Sequence, residues 1–441
     1  MALIIAKFGG SSLADAEHFK KVYDIVKANP DRRYVVPSAP GKRFDGDTKV
    51  TDMLYDCYAK ASEGEDFAED FQKITDRFDA IIDGLGLDLD LTPEYQKIRL
   101  AFENAAGRDY AASRGEYLNG MILAYYLGYD FVDAAKCVRF NENGSFNSAF
   151  TIEKTAEHLS HHFCGVIPGF YGKMPNDTIK TFSRGGSDIT GSLVARGVNA
   201  DLYENWTDVN GFLVADPRIV RNPSRIETIT YKELRELSYM GATVLHEDAI
   251  FPVHQAGIPI NIRNTNDPAD PGTMIVRKTP AQKAAHHVTG IAGKKGFSII
   301  SIEKAMMNSG SGFVRRLLTA LEELGIPFEH LPSGIDTMSI VVDSVYVQGR
   351  EQQVIDTITK AVEADHVSVD NHLGLIAVVG RGMIRAAGTA ARVFAAVARQ
   401  NINLRMIDQG SSELNIIIGV DETSFDDAVR AIYTEFFHKE A

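Results

Sequence analysis

The stretch from Phe182 to Arg218, FSRGGSDITGSLVARGVNADLYENWTDVNGFLVADPR, decides how this chain is read. Phe182 closes a β-rich run, and Ser183-Arg184-Gly185-Gly186-Ser187-Asp188 forms a tight polar turn. An amphipathic helix follows, with Ile189, Leu193, Val194 and Val198 on one side. Two glycines in a strand-to-helix turn let backbone N–H groups converge on an anion at the helix N-terminus. Arg184 adds a planar fork suited to a carboxylate, and Asp188 brings a negative charge to the same turn. After the next strand a second polar turn, Thr207-Asp208-Val209-Asn210-Gly211, leads to Asp216-Pro217-Arg218. An anion-binding loop with a second loop beside it suggests two substrates meeting. The same residues also fit a plain helix cap at Ser187 followed by an ordinary turn.

A second glycine turn stands at the other end of the chain. The apolar strand at residues 2 to 8 runs into Lys7-Phe8-Gly9-Gly10-Ser11-Ser12, and a helix with Phe19, Val22, Ile25 and Val26 at helical spacing follows. Strand, two glycines, hydroxyls and helix make a phosphate cradle with a lysine just ahead of it. It is not the nucleotide-binding P-loop, because the lysine precedes the glycines and no G-K-[ST] follows. Between the two turns, Tyr34-Val35-Val36 is a strand, Lys42 to Lys49 reads as a mobile surface loop, and a helix from about Arg108 to Tyr126 carries Ser113-Arg114-Gly115-Glu116. A glycine inside a helix costs about 1 kcal/mol relative to alanine, so Gly115 marks a close neighbour, with Glu116 beside it.

Strands alternating with helices from residue 2 to about 278 predict a mostly parallel sheet covered on both faces. Thr279 to Ala285 reads as a linker, and a βαββα pattern then occurs twice. The first copy has strands at Phe297–Ile302, Pro327–Leu331 and Thr337–Val342, and the second at Leu375–Val379, Asn403–Ile407 and Leu414–Val420. The fold class expected is α/β, a parallel sheet sandwiched by helices, plus two small ferredoxin-like α+β units. The expected domains are residues 1–280, 288–370 and 371–441. The bare sheet faces of such units predict a homo-oligomer.

Composition narrows the function. The 441 residues carry a formal charge of −13, which argues against nucleic acid or an anionic membrane as partner. With 44% hydrophobic and 24% charged residues the chain reads as globular. No apolar run reaches the ~18 residues that span a bilayer. Met1 to Lys7 lacks the flanks of a signal peptide, so a cytoplasmic location is expected. Cys57, Cys137 and Cys164 have no metal-like spacing, His161-His162 and His286-His287 read as surface residues, and no metal site is expected in the protein itself.

Taken together, Lys7-Phe8-Gly9-Gly10-Ser11-Ser12, Ser113-Arg114-Gly115-Glu116, Ser183 to Asp188, Thr207-Asp208-Val209, Asp216-Pro217-Arg218 and Asp408-Gln409-Gly410-Ser411-Ser412-Glu413-Leu414-Asn415 resemble the aspartokinases, an amino-acid-kinase domain followed by two ACT domains. The resemblance covers the chain end to end, and the length leaves no room for the homoserine dehydrogenase fused to some relatives. It implies phosphorylation of the side-chain carboxylate of L-aspartate by ATP, with Mg2+ travelling on the nucleotide. By that likeness Lys7 bridges the transferring phosphoryl group with Gly9, Gly10 and Ser11, and Asp188 holds Lys7. Arg184 clamps the substrate α-carboxylate, Glu116 takes the α-ammonium, and Ser38, Thr51 and Ser187 line the aspartate pocket. Thr207, Asp208, Asp216 and Arg218 fall on the nucleotide side. The ACT pair resembles a sensor for lysine or threonine, with Asn308, Ser309, Gly312, Phe313 and Val314 in the effector loop and Glu329 facing them.

Overall fold

Five consecutive buried residues, Ile4–Phe8, form β1, and the rest of the first sheet is laid down on either side of it. The computed structural model describes residues 2–183, 185–241, 247–278, 287–309 and 311–437. Arg184, the linker expected at Thr279 to Ala285, and His286 lie outside them. The chain divides into two compact units, one of Met1–Phe212, Glu227–Tyr231 and Val244–Lys278, the other of Leu213–Ile226, Lys232–Thr243 and Thr279–Ala441.

The remaining strands of the first unit are β2 (Arg32–Pro37), β3 (Asp130–Phe131), β4 (Gly165–Val166), the hairpin β5 (Tyr171–Lys173) and β6 (Ile179–Thr181), β7 (Leu202–Thr207), β8 (Thr228–Thr230), β9 (Ile260–Asn264) and β10 (Thr273–Val276). With β1, seven of them form one eight-stranded sheet in the order β3-β4-β2-β1-β7-β9-β10-β8. Only β9 and β10 pair antiparallel; every other neighbour is parallel. Crossover helices are what parallel strands need, and they also bury both faces. The helices are α1 (Ala16–Lys27), α2 (Val50–Glu63), α3 (Ala68–Leu85), α4 (Thr92–Glu103), α5 (Arg108–Leu127), α6 (Ala134–Cys137), α7 (Ser148–Leu159), α8 (Gly186–Gly197), α9 (Tyr231–Tyr239, of which only Tyr231 belongs to this unit) and α10 (Glu247–Ala256). Ala6, Phe8, Val35 and Trp206 pack into one apolar cluster with residues of α1 to α5. Side chains alternate along a strand, so Lys7 and Asn205 point to the opposite face, where α8 packs on β1, β2 and β7.

A buried ion pair lies on the Trp206 side. Glu204 accepts from Arg32 Nε at 2.7 Å and Nη2 at 3.0 Å and from Trp206 Nε1 at 2.9 Å. Removing one partner of a buried pair leaves the other charge uncompensated, at about 3–5 kcal/mol. Glu204→Gln is therefore expected to lower the denaturant midpoint of the first unit's unfolding, read by the fluorescence of Trp206, the chain's single tryptophan.

In the second unit β11 (Gly290–Glu303), β12 (Thr337–Asp343), β13 (His366–Val379), β14 (Met406–Asp408) and β15 (Asn415–Asp421) form one antiparallel sheet, β12-β11-β13-β15-β14. The helices α11 (Phe313–Glu323) and α12 (Glu351–Val362) share a core with β11 and β12, while α13 (Thr389–Ala398) and α14 (Phe425–Phe437) share another with β13 and β15. The two sequence copies thus build one sheet, because β11 and β13 each run 14 residues through both halves. The separate strand expected at Leu375–Val379 is the second half of β13. The strand expected at Pro327–Leu331 is reduced to the single bridge His330↔Val341.

The expected boundary near residue 280 is also moved. Leu213–Ile226 and Lys232–Thr243 belong with the C-terminal part. The reason is burial: Ala215 and Val220 sit in its apolar core, and Ile291 N–H donates to the Val214 carbonyl at 2.7 Å. Glu233, fully buried, accepts from Arg381 Nη1 at 2.9 Å and from Thr289 Oγ1 at 2.6 Å.

Candidate active site

Lys7 is one residue from the end of the central strand and is 7% exposed. Its Nζ lies 2.6 Å from Asp188 Oδ1, in the first turn of α8, and 3.4 Å from Asn205 Oδ1 on β7. Two turns distant in sequence are thereby joined, since β1 and the N-terminus of α8 meet through one ion pair. A Cβ added to Gly9 would stand 3.8 Å from Nζ, which places the ammonium beside the first glycine turn. That turn is packed closely: Gly41 N–H donates to the Gly10 carbonyl at 2.8 Å, and a Cβ on Gly10 would meet the Ala39 carbonyl at 2.8 Å. Only a glycine lets the two loops approach so closely.

A cleft of about 590 Å³ opens over this turn. Gly9, Gly10 and Ser11 line it, with Thr51 from α2, Glu116 from α5, and Thr207 and Asp208 from the end of β7. Seven residues expected to contact substrates therefore share one cavity. Glycine turns at strand ends in a parallel sheet are where such a fold binds ligands. Lys42, Arg43 and Lys49 bring cations to the same walls of a chain whose net charge is −13.

Glu116 is 5% exposed, and among the described residues its Oε2 has no hydrogen-bond partner. Burial pushes its carboxyl up to about 8, against the pull of the Ala39 backbone N–H and the nearby Arg114. Arg114 is engaged elsewhere, stacked on Tyr110 and Tyr117 with Nη2 on Ser113 Oγ at 2.8 Å. Gly115 explains how Glu116 reaches the cleft: a Cβ there would lie 2.8 Å from that of Ala39, so the glycine lets α5 press on the loop after β2. A buried carboxyl oxygen without a partner is satisfied by a proton or by a cation brought to it.

Ser38 N–H donates to the Phe8 carbonyl at 3.0 Å, and its own carbonyl accepts from Asn119 Nδ2 at 2.7 Å. Ser187 is buried against Gly169, where a Cβ would come within 2.6 Å of its Oγ. Ser187 does not cap α8. The cap is Gly185, at φ +58°, a left-handed conformation that glycine adopts without strain.

Asp216 and Arg218 belong to the second unit and engage each other: Arg218 Nη2 lies 2.6 Å from Asp216 Oδ2, with the arginine largely exposed. The arginine holds the Asp216 carboxyl below its usual range. In the same unit Asn308 and Ser309 lie on the short helix Met307–Ser309, and Gly312, at φ +92°, precedes α11. Val314 is exposed, whereas the side chain of Phe313 packs in the apolar core. Glu329 accepts from the Tyr239 hydroxyl.

The loop from Lys42 to Lys49, expected to be mobile, is tied down. Asp47 accepts from Arg43 Nε at 2.9 Å and Arg77 Nη1 at 3.0 Å, and Arg77 Nη2 also reaches the Gly41 carbonyl at 2.6 Å. The two guanidinium groups hold the Asp47 carboxyl far below the usual carboxylate range, chiefly through the Arg43 hydrogen bond. Arg77, Asn205 and Tyr239 were not legible as site residues. For Asn205 one signal existed: Glu204-Asn205 puts two polar residues inside a strand otherwise suited to burial.

An amino acid kinase family profile matches residues 2–264, and an ACT domain profile matches residues 376–436. Aspartokinase 3 of Bacillus subtilis is 39% identical over 98% of this chain and 98% of its own length. The chain belongs to the aspartokinase family. The crystal structure of Clostridium acetobutylicum aspartate kinase, 50% identical, superposes with a TM-score of 0.91 over 99% of this chain and 100% of that one. E. coli aspartokinase III, solved in complex with aspartate and ADP, is 25% identical, with a TM-score of 0.72 over 99% of this chain and 100% of that one. The two-part architecture described above is the aspartokinase one, a parallel-sheet kinase domain and an antiparallel ACT region.

Proposed function

We propose that this chain transfers the γ-phosphoryl group of ATP to the side-chain carboxylate of L-aspartate, giving 4-phospho-L-aspartate and ADP. The observation that carries the reading is the cleft that places the Gly9-Gly10-Ser11 turn and the open Glu116 carboxyl on the same walls, with Lys7 held beside them. The nucleophile is the substrate's own carboxylate, ionised at neutral pH with a reference pKa of about 3.9. No general base is needed. The barrier is repulsion between two anions, so the protein's work is positioning and neutralising charge.

Lys7 sits where the moving phosphoryl group passes, steadied by Asp188. Glu116 takes the α-ammonium of aspartate, and Arg184, outside the described residues, takes the α-carboxylate. Ser38, Thr51 and Ser187 complete the aspartate pocket, and Thr207 and Asp208 lie toward the nucleotide. Mg2+ arrives on the phosphates, the mode this ion favours, and Asp45 and Asp208 are the cleft carboxylates available to it. The test is an ATP assay with aspartate and glutamate in parallel, trapping acyl phosphate as the hydroxamate. Hydroxamate from aspartate, with little from glutamate, is expected; none from aspartate overturns the reading.

The ACT region is proposed to sense lysine or threonine in a cytoplasmic homo-oligomer, with Asn308, Ser309, Gly312, Val314 and the backbone of Phe313 forming the loop and Glu329 receiving an ammonium group. Among the described residues no helix is long and apolar enough to cross a membrane. Tyr239 already occupies Glu329, and that bond pushes its hydroxyl up to about 12. An effector must displace it. Tyr239→Phe is expected to lower the half-inhibitory lysine or threonine concentration by roughly three- to tenfold, the net worth of one ordinary solvent-exposed hydrogen bond. An unchanged inhibition curve removes Glu329 from the effector site.

A further inference from the structure

The parallel register of β1 and β7 sets Lys7 directly beside Asn205, on the face covered by α8. Asn205 is 4% exposed. Its Nδ2 donates to Asp188 Oδ1 at 2.9 Å, the same oxygen that holds Lys7 Nζ at 2.6 Å, and its Oδ1 faces that Nζ at 3.4 Å. The backbone of Asp188 is fixed as well, since the Tyr203 hydroxyl donates to its carbonyl at 3.2 Å. Three side chains from three elements thus close a small ring.

We propose that Asn205 is a positioning residue for phosphoryl transfer, which aims the Lys7 ammonium and keeps its charge available. The proposal rests on the reading of Lys7 as the cation that meets the phosphoryl group. An ammonium has three N–H donors. Asp188 takes one, the Asn205 amide oxygen faces a second, and among the described residues no third acceptor is present. The remaining N–H is directed by the other two. The second effect is electrostatic. A buried lysine locked to one carboxylate presents little net charge, whereas an amide N–H shared by that carboxylate oxygen draws off part of its field. An apolar residue at position 205 supplies neither effect. An acidic residue reverses the second, by adding a negative charge beside Lys7.

Two variants separate this role from simple packing. Asn205→Leu keeps the volume and removes both polar contacts; kcat is expected to fall about tenfold or more, with the KM for aspartate within about twofold of wild type. Asn205→Asp keeps the shape. If Asn205 served only packing, this isostere would be the milder change. The proposal expects it to be at least as slow as Asn205→Leu at pH 8. It also expects activity relative to wild type to recover as the pH falls, because a carboxyl placed against Asp188 takes up a proton more readily than a free aspartate and then again offers a donor and an acceptor. Unfolding midpoints of both variants control for stability.

Wild-type kcat in a folded Asn205→Leu protein overturns the proposal. So does an Asn205→Asp protein that is faster than Asn205→Leu at pH 8 and follows the wild-type pH profile. If Lys7→Ala itself retains full turnover, the underlying reading of Lys7 fails. If Lys7→Ala is inactive while Asn205→Leu is normal, only the role of Asn205 fails.

Discussion

Lys7→Ala is expected to lower kcat by about 10²- to 10³-fold, the range seen when one preorganised charge-stabilising group is removed from a transition state. The KM for aspartate should change far less, because Glu116 and the neighbouring hydroxyls remain in place. The loss should be electrostatic and directional. Lys7 Nζ is fixed at 2.6 Å from Asp188 Oδ1 next to the glycine turn, so the charge costs no reorganisation when the phosphoryl group moves. Lys7→Arg should not rescue, since a planar guanidinium on a longer stem has no room between Asp188 and that turn. Steady-state kinetics at saturating ATP measure both effects. Turnover at the wild-type level in Lys7→Ala would remove the lysine from the mechanism.

The second large effect is the pH dependence of aspartate recognition. Burial raises the Glu116 carboxyl to about 8 in the free protein, yet pairing with the α-ammonium of aspartate requires it ionised. Below that value binding must release a proton. The KM for aspartate should therefore rise about tenfold for each unit the pH falls from 8 to 6.5, and level off above about 8. Glu116→Gln should raise KM by about 30-fold or more at pH 8.5, the cost of losing one partner of a buried charge pair. It should also flatten the profile, so that the two proteins converge at low pH. A steep KM profile persisting in Glu116→Gln would assign the titration to another group.

Stability gives a readout independent of substrate. The folded-state value of Glu116 lies above that of the unfolded chain, so folding takes up a proton between the two. Its stabilising contribution is full below about 4.5 and is lost as the pH rises through about 8. Glu116→Gln should remove that decline, and the variant should gain stability relative to wild type between pH 6 and 8.5.

Both predictions draw on residues that the sequence itself marks, and the reason is local. A strand running into Gly-Gly and a hydroxyl signals a phosphate turn wherever it lies, and Gly115 inside an otherwise good helix signals a close approach, here to Ala39. The partners of the remaining groups are far off in the chain. Asn205 acts on Lys7 across 198 positions and Arg77 reaches Gly41 across 36, and no periodicity reports such pairs. The Gly185 cap takes the place of the alternative Ser187 cap because glycine adopts the left-handed φ of that turn without strain. The break expected between two ACT sheets vanished because hydrogen bonding lets β11 and β13 continue where hydrophobic pattern suggested gaps.

The order of residue types along the chain by itself determined the parallel α/β core and the duplicated C-terminal pattern, since both are written in short-range spacing, and it marked Lys7, Glu116 and Asp188 as candidates through their glycine turns and the family resemblance. Only the tertiary structure decided that Lys7 and Asp188 touch, that Glu116 is dry enough to hold its proton near neutral pH, that Asn205 joins them, and that Tyr239 occupies Glu329. Those facts are distances and degrees of burial between segments remote in sequence, and they exist only once the strands have paired in register.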